Sequence, residues 1–116
     1  MKNLSGAVAA ITGAGSGIGR ALAMNLAKQG CHLALSDVNE AALAFTATLL
    51  EPYPVPLTTH RVDVSDRAAV FKWAEQVVES HGQVNLLFDN AGVALSGTVE
   101  SLGIEDFQWI MGINFL

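Results

Sequence analysis

Basic side chains are scarce in this sequence. Six Lys and Arg stand against eleven Asp and Glu, a net charge of −5. That balance gives no electrostatic footprint for nucleic acid or an anionic membrane, so neither is expected as a partner. Cysteine is almost absent: Cys31 is the single one, no internal disulfide can form, and a cytoplasmic location is the default expectation. No run approaches the roughly 18 apolar residues of a membrane span. The uncharged stretch 3–19 holds too many glycines, and too short an apolar block in AVAAI, to act as a signal peptide. What is plentiful is small and apolar. Hydrophobic residues make up 51% and glycines number 11 among 116 residues, which describes a folded domain with a single core rather than a disordered chain.

The apolar residues come in alternating patterns. AVAAIT (7–12) is a short apolar run stopped by Gly13, as expected of a strand buried on both faces. The segment 17–29 then carries Ile18, Leu22 and Leu26 at helical spacing and ends at Gly30, a good residue just past a helix. CHLALSD (31–37) is a second strand. Asn39 is placed to cap a second helix with Leu43, Ala47 and Leu50 inward, halted by the prolines of EPYPVP. LTTHRVDV (57–64) reads as a third strand, and Ser65 as the cap of a third helix that buries Val70, Ala74, Val77 and Val78 and ends at Gly82. VNLLFD (84–89) is a fourth strand, and 104–116 has a helical pattern. Such strand–helix alternation predicts an α/β fold, a doubly wound parallel sheet with helices on both faces. Ligands of these sheets bind beyond the carboxyl ends of the strands.

At the first of those ends lies TGAGSGIG, formed by Thr12, Gly13, Ala14, Gly15, Ser16, Gly17, Ile18 and Gly19. Glycines between a buried strand and a helix let a pyrophosphate approach backbone N–H groups at the positive end of the helix dipole. The generic Gly-x-Gly-x-x-Gly spacing does not fit, because its third glycine would fall on Ile18 or Arg20. Thr-Gly-x-x-x-Gly-Ile-Gly does fit, and with it the sequence resembles the short-chain dehydrogenase/reductase family over its whole length. Asp37 ends the second strand, 18 residues after Gly19, where a carboxylate can accept hydrogen bonds from the adenosine ribose hydroxyls. A 2′-phosphate there would meet like charge with no base supplied by Ala14, Ser16 or Val38, so NAD is expected in preference to NADP. Asp63 and Val64 resemble the pair that borders the adenine. Asp89, Asn90, Ala91 and Gly92 resemble the family's Asn-Asn-Ala-Gly stretch beside the cofactor ribose, with Asp89 replacing the first Asn and therefore accepting hydrogen bonds only when ionised.

In the family's pattern IMGINFL would carry an asparagine of the catalytic tetrad, here Asn114, whose carbonyl holds a water of the proton relay. The Ser and the Tyr-x-x-x-Lys pair of the tetrad have no counterpart, since the single tyrosine, Tyr53, is followed four residues later by Leu57. The resemblance implies a Rossmann-type sheet ordered 3-2-1-4, with residues 1–116 as the N-terminal part of an NAD-binding domain that stops before the catalytic Tyr and Lys. It further implies an oxidoreductase acting on a small-molecule alcohol or carbonyl substrate, and a homo-oligomer. An apolar fourth strand left at the sheet's rim would then be an uncovered edge and invite association. His32, His60 and His81 lack metal-ligand spacing, and no metal is expected. Two other readings stay open: a nucleotide-binding or interaction module without catalysis, and a methyltransferase, whose fold opens similarly but without the Asn-Ala-Gly stretch.

Overall fold

The computed structural model describes residues 4–89 and 95–102. Strands β1 (Val8–Thr12), β2 (His32–Asp37), β3 (Leu57–Arg61) and β4 (Val84–Asp89) alternate with helices α1 (Gly17–Lys28), α2 (Glu40–Leu50) and α3 (Arg67–His81), and a further strand β5 (Leu95–Leu102) follows. The sheet order is β3-β2-β1-β4-β5. The first four strands are parallel, with Ala10 opposite Ala34 on one side and Leu87 on the other, and Asp37 opposite Arg61. The 3-2-1-4 order inferred from the sequence is therefore the order observed.

Every residue of β1 is buried, because successive side chains enter opposite layers. Ala9 and Ile11 join Leu33, Leu35, Ala23, Leu26 and Leu43 beneath α1 and α2. Ala10 joins Ala34, Val70, Trp73, Val77 and Leu87 beneath α3. Small residues at the centre of the sheet let helices approach it from both sides. Tyr53 packs partly buried against the first of these clusters.

Four local expectations are corrected. The α1 stripe is rotated: Gly19, Ala23, Leu26 and Ala27 are buried, whereas Ile18 is 76% exposed, because in the first turn of α1 Gly19 is the residue pressed onto the Gly13–Ala14 backbone. On α2 the inward positions are Leu43, Thr46 and Leu50. Ser65 does not cap α3. The Asp63 carboxylate accepts both its N–H at 2.9 Å and its hydroxyl at 2.7 Å, so Asp66 takes the cap position and accepts from Ala69 N–H. Finally, β4 is not an open edge. β5 pairs with it antiparallel, Leu87 opposite Gly97 and Asp89 opposite Leu95, which satisfies the outward backbone groups of an apolar strand within the chain itself. The helical pattern at 104–116 lies outside the described residues.

Candidate functional site

The carboxyl ends of β1 and β2 meet at the glycine-rich turn. Thr12 is buried at the end of β1, and its hydroxyl donates to Asp89 Oδ1 at 2.8 Å. Asp89 thus works as an acceptor that ties β1 to β4. Past Thr12 the chain enters the left-handed region at Gly13 (φ 64°) and again at Gly17 (φ 55°). Ser16 stands in extended backbone at the head of α1, with no side-chain capping bond, and the first turn of the helix carries no acidic residue. The first N–H groups of α1 therefore meet neither a side-chain cap nor a carboxylate from their own turn, the electrostatic condition for an anion.

Two glycines owe their identity to close approach. A Cβ on Gly19 would collide with the Gly13 carbonyl, and one on Gly15 would fall 2.6 Å from Asp37 Oδ2 and 2.9 Å from Ala42 Cβ. No other residue type fits either place without moving backbone or a helix.

Asp37 lies at the centre of this arrangement. Its Oδ2 accepts the Gly15 N–H at 2.7 Å and its Oδ1 the Asn39 N–H at 3.0 Å. Each carboxylate oxygen has a second lone pair, so a half-buried carboxylate that is already held in place can still accept from a vicinal diol. Asp63 and Val64 lie directly beyond β3, since the Val62 N–H donates to the Asp37 carbonyl. The Asp63 carboxylate is exposed and turned toward Ser65. Ser65's hydroxyl and N–H, with a smaller contribution from the Arg61 charge, hold it below the ordinary carboxylate range. Val64 leans on the cluster beneath α3. Thus Thr12, Gly13, Gly15, Ser16, Gly17, Ile18, Gly19 and Asp37 come together, and Asp63 and Val64 flank them. Asn90, Ala91, Gly92 and Asn114 lie outside the described residues. Among the described residues no group of His, Cys, Asp and Glu is arranged to hold a metal, and no helix is long and apolar enough to cross a membrane.

Sequence reasoning missed Arg20 and Thr46. The Arg20 Nε donates to Thr46 Oγ1 at 2.9 Å. Its Nη2 donates to the Gly15 carbonyl, with a longer contact to the Ala42 carbonyl at 3.4 Å, and the guanidinium lies 4.8 Å from the Phe45 ring centroid. The Thr46 hydroxyl in turn donates to the Ala14 carbonyl at 2.9 Å. A cation therefore does stand beside the turn, contrary to the expectation from Ala14, Ser16 and Val38, but it is directed at backbone carbonyls. The only signal in the sequence was a polar residue at the inward spacing Leu43, Thr46, Leu50 of α2.

Comparison with known proteins agrees with this geometry. A family model described as short chain dehydrogenase matches residues 7–116. SadH of Mycobacterium tuberculosis (strain ATCC 25618 / H37Rv) is 43% identical over 115 residues, covering 99% of this chain and 42% of SadH. A short chain dehydrogenase/reductase from Burkholderia phymatum, solved in complex with NAD, superposes with a TM-score of 0.75 at 43% identity, over 99% of this chain and 41% of that one. L-Sorbose reductase from Gluconobacter frateurii, solved with NADPH and L-sorbose, gives a TM-score of 0.74 at 35% identity over 94% of this chain and 43% of its own. The chain thus spans about two fifths of the length of the proteins it matches.

Proposed function

The chain belongs to the short-chain dehydrogenase/reductase family, and from that premise we propose that residues 1–116 form the cofactor-binding part of an NAD-dependent oxidoreductase acting on an alcohol or carbonyl substrate. One observation carries the reading: the Asp37 carboxylate, fixed by Gly15 N–H at 2.7 Å, stands beside a turn so tight that a Cβ at Gly15 or Gly19 would fill it. In this reading the turn and the first N–H groups of α1 bind the pyrophosphate, Asp37 accepts the adenosine diol, and Asp63 and Val64 border the adenine. Asn90, Ala91 and Gly92 line the ribose, and Asn114 belongs to the proton relay. When bound, the nicotinamide supplies hydride transfer to or from the substrate carbon. A dinucleotide bearing a 2′-phosphate brings a dianion toward Asp37, and Arg20, turned inward to carbonyls, does not offset the repulsion. A cytoplasmic location and a homo-oligomer accompany the reading.

The test is a titration of the protein with NAD and with NADP. Tighter NAD binding is expected, and Asp37→Ala should shrink the difference by removing the repulsion. Equal affinities in the unaltered protein would sink the preference. Binding of S-adenosylmethionine in competition would point to methyl transfer instead. Because residues 1–116 hold no counterpart of the catalytic Tyr and Lys, turnover is read on the polypeptide carried on to the length of the relatives, and saturable NAD binding there without any substrate-dependent change in nicotinamide absorbance would leave a nucleotide-binding module.

A further inference from the structure

We propose that Arg20 is the positioning residue of the cofactor cradle, a fork beneath the glycine-rich turn that sets which way its peptide groups face. The inference rests on the dinucleotide reading above, and concerns a side chain to which that reading gives no part in binding.

The turn between β1 and α1 is held on its inner side by α2. The Ala14 carbonyl accepts from Thr46 Oγ1, and the Gly15 carbonyl accepts from Arg20 Nη2. Arg20 touches the Gly15 carbonyl directly and the Ala14 carbonyl through Thr46, because its Nε rests on Thr46 Oγ1, 26 residues away in sequence, and its guanidinium lies over the Phe45 ring. No cis peptide occurs among the described residues. In a trans peptide the C=O and the following N–H point in opposite directions. With the Gly15 carbonyl drawn inward to the guanidinium, the Ser16 N–H is turned away from it, toward the rim where α1 presents its own N–H groups. The Ala14 carbonyl, held by the Thr46 hydroxyl on which Arg20 Nε rests, likewise turns the Gly15 N–H outward onto Asp37 Oδ2, and so keeps Asp37 where it can meet a diol.

A planar guanidinium with five donors can serve Gly15, Ala42 and Thr46 together; a lysine ammonium at the same place cannot hold all three geometries. The role is therefore one of geometry rather than of charge. Preformed orientation of this kind strengthens binding by lowering the ordering cost at the moment the ligand arrives.

The experiment compares the unaltered protein with Arg20→Met, Arg20→Lys and Thr46→Val, each checked for folding by circular dichroism and studied well below its Tm. The first readout needs no cofactor: amide hydrogen exchange at Gly15, protected by Asp37 in the unaltered protein, should accelerate in all three variants. The second is calorimetric titration with NAD and with AMP, its adenosine half. Both affinities should fall about tenfold in Arg20→Met, the size of one charged hydrogen bond, with Arg20→Lys close to Met and Thr46→Val shifted in the same direction. Affinity for nicotinamide riboside, which carries no phosphate to meet the turn, should change little; a mere loss of folded protein would lower all three ligands alike. Unchanged Gly15 exchange in Arg20→Met, or full recovery of affinity in Arg20→Lys, overturns the proposal. Should Arg20→Met fail to fold, Arg20→Lys and Thr46→Val decide the matter by the same two readouts. Failure of the unaltered protein to bind AMP or NAD would instead remove the dinucleotide reading on which the proposal stands.

Discussion

The Gly15 nitrogen lies 2.7 Å from Asp37 Oδ2, and that short contact leaves no room for a methyl group. In Gly15→Ala the new carbon would fall 2.6 Å from the carboxylate and 2.9 Å from Ala42 Cβ. The carboxylate can swing aside, but Ala42 is part of α2, so the turn must lift from the helix. A cost of about 1–3 kcal/mol is expected from such overpacking, read as a fall in Tm, together with at least a tenfold loss of NAD affinity because the Asp37 contact is broken. A folded Gly15→Ala protein with unaltered affinity would show that the contact does not shape the site. The spacing of Thr12, Gly13, Gly17 and Gly19 and the strand-end position of Asp37 were legible in the sequence because both depend on neighbours close along the chain. Arg20 and Thr46 were not. Their meeting depends on where α2 crosses the turn, which no local pattern encodes, and a threonine within ALAFTATLL is an unremarked helix residue until that crossing is known.

Element ends show the same division between local and distant causes. Asn39 caps α2 as its position foretold, accepting from Ala42 N–H at 3.0 Å. At α3 two good capping residues, Ser65 and Asp66, are adjacent, and the choice falls to Asp63, which engages Ser65 through both its N–H and its hydroxyl. Asp66→Ala should therefore lower stability by about 1 kcal/mol, the usual worth of a cap. Ser65→Ala, which removes one exposed hydrogen bond, should stay within about 0.5 kcal/mol. Thermal unfolding of the two variants checks the assignment, and a larger loss for Ser65→Ala would return the cap to Ser65. The existence of β1 to β4 and of three helices followed from apolar periodicity. β5 did not, since LSGTVESL has no compelling pattern of its own, and its place comes from the bonding needs of β4, whose Leu86 stands opposite Thr98.

The described residues form three layers, and the alternation of strands and helices foretold them because each crossover must cover one face of the sheet. What it did not foretell is which polar groups share a face. On the α3 side, His81 at the end of α3 meets the Thr58 hydroxyl of β3 at 2.8 Å, and the charges of His32 on β2 and His60 on β3 are both felt at His81. Burial holds His81 below the ordinary histidine range, and those two neighbours add to it. Burial alone lowers His60, whose Nδ1 is enclosed without a hydrogen-bond partner. A histidine whose folded pKa is depressed contributes its full stability above the unfolded value of about 6.5, where both states are neutral. As pH falls below that value the unfolded chain takes up protons that the folded one refuses, and stability declines until the folded pKa is passed. Asp63 acts in a separate window. Its depressed carboxyl keeps its contribution until the pH drops below its unfolded value of 3.8. The Tm should therefore fall between about pH 7.5 and pH 5.5, through His60 and His81. His81→Gln, which keeps a hydrogen-bonding group for Thr58 but cannot be protonated, should flatten that decline, and Asp63→Asn should leave it as it is. A Tm that is level across this window, or a decline that survives in His81→Gln and His60→Gln together, would show that the α3-side histidines do not carry the acid sensitivity of the fold.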